Sequence, residues 1–383
     1  MKSVARNDTR RLGQNARREA KRERGIVLAI VLVLIFALIT AVYAFQRRAI
    51  IDTAVAKNRL YGAEADALAR GGLRIGEAIV FLTRLKGTAD GTGSTEAAAS
   101  GLAGISAEEI WANVGEFPLE LEDGKRLRIS IEDEGARLNL NALVQPGEED
   151  DDSGFDDESE EYLVAVLDYI VDGIDALPEE KNYDTRAIAQ NLLDYIDADE
   201  DARSGRNEDA YYRSQDPPYR PRNGPFLSVD EIGLVEGVDP QLLSAMRDYV
   251  TVHPIGSVGG INLNRAQPWV LSIVYSGSSG DRELVREATV RDIWKLRKES
   301  KILCNDASAD PVRCVTPSEV GNGALADGSI YPEANLPARP TVFRVVAEAE
   351  VGNLTRSLEA IYDTRPAERP QLLSWRRLRG PDS

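Results

Sequence analysis

Apolar side chains are distributed very unevenly along the 383 residues, and the densest run comes early. Residues 26–45, IVLAIVLVLIFALITAVYAF, carry no charge. At about 1.5 Å of rise per residue such a helix covers the roughly 30 Å hydrocarbon core of a bilayer. The pattern then changes without a break. Ile50, Val55, Leu60, Leu68, Ile75, Ile79 and Leu82 recur among helix formers, which predicts that the apolar helix continues through residue 86, loosened near Gly71 and Gly72. Residues 87–104 are rich in Gly, Ala, Ser and Thr and read as a loop. Lys125 to Ile131 (KRLRISI) alternates polar and apolar, the period of a half-buried strand, and Ala136 to Leu143 (ARLNLNAL) reads as a second extended segment.

From about residue 159 the period becomes helical. Leu163, Val166, Leu167, Ile170, Val171 and Ile174 fall on one face, as do Ile188, Leu192, Leu193 and Ile196. Ser228 with Glu231 has capping-box spacing, and Asp239-Pro240 is an N-cap followed by proline at the first helical position. At least four short helices are therefore predicted within a strand-forming domain. Gly259 to Ala266 (GGINLNRA) echoes ARLNLNAL and leads through Pro268 into a helix to about Tyr275. A further helix is expected from Thr289 to Lys298, and strands from Thr341 to Val351 and Leu354 to Tyr362 join at Gly352-Asn353 as a hairpin. The expected class is α+β: a long N-terminal helix and an antiparallel sheet, with an all-α, helix-hairpin-helix-like or SAM-like insert. The boundaries this gives are a leader (1–25), a membrane segment (26–45), the first part of the sheet domain (46–145), the insert (146–255), the second part of the sheet domain (256–362) and a flexible tail (363–383).

Charge sets the orientation. The first 25 residues hold nine basic side chains against three acids, a net of +6, so the positive-inside rule keeps this arm in the cytoplasm. The chain as a whole carries −17, which leaves about −23 on the rest. The expected location is the inner membrane, single-pass, with the N-terminus cytoplasmic and an acidic body outside. Such a body is a poor partner for nucleic acid, whose binding depends on cations that neutralise phosphates. The run GEEDDDSGFDDESEEY, residues 147–162, holds ten carboxylates and reads as a solvated loop.

Candidate chemistry is sparse. Asp197, Asp199, Asp201 and Glu208 stand at relative positions 1, 3, 5 and 12, the carboxylate spacing of an EF-hand loop. Ala202 replaces its glycine at position 6, and Ser204 its apolar residue at position 8. Two readings stand here: a calcium site using part of the set Asp194, Asp197, Asp199, Asp201, Glu208 and Asp209, structural in role, or a solvated loop between helices. Cys304 and Cys314 are the only cysteines, and an even count on the exported side predicts a disulfide closing a short loop. His253 is the only histidine, no nucleophile motif lies near it, and it reads as a surface residue before a proline. Glycine-rich phosphate loops are absent from the sequence, and no enzymatic activity is expected.

A basic leader ending in Gly25, followed at once by an apolar helix from Ile26, resembles the signal of type IV pilins and type II secretion pseudopilins. Prepilin peptidase cuts those after the glycine, and the new amine is methylated. The small-x-small site of an ordinary secretory signal has only a poor counterpart in Ala41 to Ala44. Family members usually carry Phe and Glu where this chain has Ile26 and Ile30. The segments LNLNAL, LLDYIDADEDARSGRNEDAYY, PPYRPRNGPFLSVDEIGLVEGVD and GGINLNRAQPWVL occur in one order, and together they resemble general secretion pathway protein K. The resemblance spans about Arg24 to Tyr362. It implies a pilin-like domain with a helical insert, and a minor pseudopilin at the tip of the fibre that exports folded proteins across the outer membrane. It also implies as partners the I and J minor pseudopilins, the major pseudopilin, prepilin peptidase and inner-membrane lipid, and it agrees with calcium. Two other readings fit parts of the chain. Residues 226–252 look like a helix-hairpin-helix, which in a membrane-anchored protein would bind DNA, although Glu236 and Asp239 stand where a phosphate would sit. A type IV pilus minor pilin would share the N-terminal helix.

Overall fold

The computed structural model describes residues 5–92, 111–116, 118–144, 157–174, 182–198, 200, 202–256, 259–306, 308, 310–326, 328–366 and 369–378, with the side chains of 5–26, 85–92 and 157 excepted. One helix, α1 (Ala5–Thr92), takes in the leader, the apolar run and the amphipathic stretch that follows. Residues 27–60 are exposed along their whole length, and beyond them Ala65, Ala69, Leu73 and Val80 are buried against a sheet. Gly71 and Gly72 do not loosen this helix. A Cβ on Gly72 would lie 2.8 Å from the Cβ of Ala347 and one on Gly76 would overlap Cγ1 of Val345, whereas Gly71 has nothing within 4 Å. Gly72 and Gly76, one helical turn apart, let the α1 backbone approach the sheet closely. The helix also runs on to Thr92 where a loop was expected, and residues 93–104 of that loop lie outside the described residues.

The sheet has the order β1-β2-β10-β11-β12, all antiparallel. Its strands are β1 (Leu119–Glu120), β2 (Arg126–Asp133), β10 (Val342–Val351), β11 (Leu354–Asp363) and β12 (Gln371–Leu378). The alternation read from the sequence sets its register. Leu127, Ile129 and Ile131 face Ala349, Ala347 and Val345, and with Leu358, Ala360 and Tyr362 of β11 they form the face that α1 covers. The β10–β11 hairpin turns at Gly352, whose φ of 62° needs glycine. The tail expected to be flexible contributes β12, paired with β11 from Gln371 to Leu378.

Between β2 and β10 the chain builds a second core. Five short elements come first: β3 (Leu138–Asn139), α2 (Asp157–Asp172), α3 (Thr185–Ile196), α4 (Asp209–Arg213) and α5 (Pro240–Met246). After them come β4 (Val250–Thr251), α6 (Pro268–Leu271), β5 (Tyr275–Ser278), β6 (Asp281–Leu284) and α7 (Glu287–Lys298). The short strands β7 (Ile302–Leu303), β8 (Cys314–Val315) and β9 (Ile330–Tyr331) complete it. One hydrophobic cluster runs from Leu138 to Leu336, while the sheet and α1 share another. The boundary at 255 therefore moves: residues 256–336 pack with the helical insert, and the sheet resumes only at β10. Two local expectations change as well. ARLNLNAL forms 3-10 turns around the two-residue β3, which pairs in parallel with β4, because its asparagines bond to remote backbone. The helix after Pro268 stops at Leu271, and the chain turns into β5.

Candidate functional site

Gly25 and Ile26, the expected processing site, lie inside the unbroken α1. Mean hydropathy in the apolar window that follows reaches 3.0, none of that window is buried, and it meets the length and composition needed to cross a membrane. No such use exists for these side chains in a soluble core. Past the apolar run, Ile50, Val55 and Leu60 are also exposed, at 70%, 44% and 56%.

The carboxylate loop sits between α3 and α4. Asp194 is buried in the last turn of α3, Asp197 is the C-cap residue with its N–H bonded to the Leu193 carbonyl at 3.1 Å, and Glu208 is buried just before α4. Arg203 folds back over this loop. Its backbone N–H donates to Asp194 Oδ2 at 3.2 Å, its Nε lies 3.8 Å from Oδ1, and its guanidinium reaches Glu160 of α2 at 3.3 Å. Asp209 pairs with Arg213 one turn on. Asp194 and Glu208 line one cavity of about 210 Å³ together with Asn191, Ser204 and Glu236. Asp199 and Asp201 lie outside the described residues, and among the described residues no three His, Cys, Asp or Glu side chains form a metal-binding group. Thus Asp194 and Asp209 are engaged by arginines, and Asp197 and Glu208 are buried beside them on the same loop.

The hairpin read as a helix-hairpin-helix has the predicted caps. Ser228 and Glu231 form the capping box of a 3-10 turn, Val229–Leu234, and Asp239 accepts from the N–H groups of Gln241 and Leu242 at 2.9 Å each. Its turn faces inward. A Cβ on Gly237 would meet Ile188 Cγ1 at 2.8 Å, and Asn191 donates to the Glu236 carbonyl at 3.1 Å. The turn that would face a phosphate is packed against α3.

Where the insert joins the sheet, sequence reasoning missed a ladder of charge. Glu134 is fully buried and accepts from Arg344 Nε at 2.6 Å. Arg344 also lies 3.7 Å from Glu359, which takes Arg376 of β12 at 2.7 Å, and Arg376 approaches Asp230 of the insert at 3.6 Å. Arg344 and Arg137 beside Glu134 overcome its burial and hold its carboxyl down at about 2. Burial dominates at Asp133, whose carboxyl rises to about 6 despite hydrogen bonds from Asn262 at 2.8 Å and Gly135 at 2.9 Å. His253, expected at the surface, is buried at this seam next to Glu134, and burial lowers its pKa. Arg344 sits at a half-buried position of β10 like Glu348 and Glu350, so no local signal in the sequence marks the ladder. Cys304 and Cys314 are joined by a disulfide with Cα atoms 5.4 Å apart.

Residues 136–255 match the family model for type II secretion system (T2SS) protein K. A protein K of Aeromonas hydrophila is 30% identical over 251 residues, 64% of this chain and 68% of the relative. The Pseudomonas aeruginosa protein K is 26% identical over 251 residues, 62% of its length. An Escherichia coli K12 protein named for the same component is 31% identical over 157 residues, 41% of this chain and 44% of that protein. The match thus spans less than two thirds of the last two relatives. A crystal structure of a GspK-GspI-GspJ complex from enterotoxigenic E. coli overlaps 87% of this chain and all of the matched chain, with a TM-score of 0.49 and 17% identity. With the internal segments, the insert and the Aeromonas relative in agreement, the chain belongs to the type II secretion system protein K family.

Proposed function

We propose that this chain is a minor pseudopilin that caps and helps to initiate the type II secretion pseudopilus, through which folded proteins are exported across the outer membrane. The single observation that carries this reading is α1. Its first part is apolar and exposed throughout, and its second part is clamped to the sheet by Gly72 and Gly76. The body is thereby fixed to a rod whose exposed apolar residues continue past the membrane, through Ile50, Val55 and Leu60, where helices of other subunits would pack. The I and J minor pseudopilins and the major pseudopilin are the proposed partners. The tip position follows from two features. Ile30 offers no carboxylate to pair with a neighbour's N-terminal amine, and an insert running from Leu138 to Leu336 is too bulky for a close-packed shaft.

On this reading the leader stays in the cytoplasm, prepilin peptidase cuts between Gly25 and Ile26, the new amine is methylated, and the helix remains in the inner membrane with the body in the periplasm. The role is structural, without catalysis. Calcium would tie the α3–α4 connection through Asp197 and Glu208 together with Asp199 and Asp201. DNA binding has little to support it, since the hairpin turn packs on α3 and the body is acidic. The test is the intact mass and N-terminal sequence of protein extracted from membranes with and without active prepilin peptidase. A peptidase-dependent start at methylated Ile26 is expected. A start at Met1 in both samples would sink the pseudopilin pathway.

A further inference from the structure

Within its second core the acidic body reverses its charge locally. Between Arg286 and Lys301 six basic residues face three acidic ones, in a region otherwise dominated by carboxylates. Most of this segment is α7. Thr289, Val290 and Ile293 bury its inner face. Arg291, Trp294, Lys295 and Lys298 recur at helical spacing on the outer face, and all four are exposed.

Trp294 is held in place. Arg297 donates to the carbonyls of Ala266, at 2.7 Å, and Leu263, anchoring the end of α7. Its guanidinium lies 5.8 Å from the Trp294 ring, and the Lys298 ammonium 6.0 Å from it. The indole is still 39% exposed. Arg291 pairs with Glu287 on the same helix at 3.1 Å, a fully solvated pair of little worth. Lys295, Lys298 and Lys301 make no ion pair within the chain among the described residues.

The disulfide loop extends this face. Ile302 pairs with Cys314 in parallel register, which sets Lys301 beside Arg313. The Cys304–Cys314 bond closes that loop and presents Val312, 83% exposed, next to the basic end of α7. A rigid aromatic, an exposed aliphatic and cations in local excess over the exposed Asp292 and Glu299 together form a surface of the kind that dominates protein interfaces.

We propose that the outer face of α7 and the adjoining disulfide loop form a docking surface for a partner protein, which it engages through an acidic segment bearing an apolar side chain. The apolar residue covers Trp294 and Val312, and the carboxylates take Lys295, Lys298 and Lys301. Anionic lipid fits less well, because a body carrying about −23 is repelled by an anionic bilayer. This surface lies on α7 and the disulfide loop rather than on α1, and the proposal stands whether or not the chain caps a pseudopilus.

The test places the photo-crosslinker p-benzoylphenylalanine at Val312 of the full chain in its native membrane, with adducts mapped by mass spectrometry. The expected adduct lies on an Asp- or Glu-rich protein segment. Its yield should fall on the order of tenfold in a Lys295→Glu, Lys298→Glu double variant and on raising salt, while the melting transition of that variant stays unchanged. An adduct on phospholipid, an adduct insensitive to the charge reversal, or no adduct at all overturns the proposal.

Discussion

Asn264 holds Leu303 in the same way that Asn141 holds Phe226. Asn141 donates from Nδ2 to the Phe226 carbonyl at 2.9 Å and accepts the Phe226 N–H at 2.8 Å; Asn264 donates to the Leu303 carbonyl at 2.9 Å and accepts its N–H at 2.7 Å. Each of them is positioned by an asparagine two residues earlier, Asn139 or Asn262, whose Oδ1 accepts the following N–H at 3.1 Å. The echo of LNLN and INLN is thus a repeated device, an Asx turn that turns the next amide into a stand-in for a β partner. Asn141 has a further bond to the Val252 carbonyl at 2.8 Å. Asn141→Ala should therefore cost about 3 kcal/mol, and Asn264→Ala somewhat less, by leaving buried backbone groups unmatched. Urea unfolding of the full chain in detergent checks this, and equal stability of Asn141→Ala and wild type would refute it.

Two glycines of α1, Gly71 and Gly76, separate two effects. At Gly76 a Cβ would overlap Val345, so Gly76→Ala should cost about 1–3 kcal/mol by pushing the helix off the sheet. At Gly71 there is open space, and Gly71→Ala should instead stabilise by about 0.5–1 kcal/mol through helix propensity. Thermal melts of the two variants should shift in opposite directions.

Much of this architecture was legible because it rests on period. The apolar run, the alternation of KRLRISI, the α3 stripe and the hairpin at Gly352 each repeat a local rule over many residues. What was not legible depends on contacts across the chain. Gly72 reads as a helix breaker until β10 lies against it, and β12 reads as a basic tail until Arg376 and Arg377 find Glu359 and Asp66. The end of the insert was misplaced for the same reason, since residues 256–336 choose their core by packing. Within the candidate metal loop the spacing of carboxylates was readable, but not the return of Arg203 to Asp194.

Calcium should act through the loop between α3 and α4. If it binds there, a concentration a hundred times its dissociation constant raises stability by about 2.7 kcal/mol, seen as a higher melting temperature that EDTA reverses. Asp197→Asn and Glu208→Gln should abolish the calcium-dependent part, whereas Asp209→Asn, whose carboxylate is paired with Arg213, should leave it intact. A calcium response unchanged in Asp197→Asn would move the ion elsewhere.

Ending the chain at Pro370 removes β12. Glu359 then loses its 2.7 Å partner Arg376 while remaining next to buried side chains, at a cost of about 3 kcal/mol. The larger consequence is a new edge. β11 would present its N–H and C=O groups over a ten-residue strand, a template for pairing between molecules. Sedimentation should show self-association of the truncated protein that Arg376→Ala alone does not produce.

The acids at positions 133 and 134 push the pH dependence of stability in opposite directions. Glu134 falls from 4.5 in the unfolded chain to about 2 in the folded one, so its contribution is present above pH 4.5 and is lost as pH falls toward 2. Asp133 rises from 3.8 to about 6, so its contribution is present below pH 3.8 and is lost as pH rises through 6. Each shift corresponds to about 3 kcal/mol, and the pair alone would give a maximum near pH 4 to 5. Asp133→Asn removes the falling limb: its stability relative to wild type should rise by up to about 3 kcal/mol between pH 4 and pH 7, on top of a pH-independent cost because Asn has one accepting oxygen where Asp133 uses two, for Gly135 and Asn262. Glu134→Gln removes the rising limb but leaves Arg344 without its closest carboxylate, so it should be destabilised by about 3–5 kcal/mol at neutral pH. Urea midpoints measured across this range for both variants distinguish the two limbs. Parallel curves for wild type and Asp133→Asn would mean that Asp133 titrates normally, and that the seam between insert and sheet is open to water.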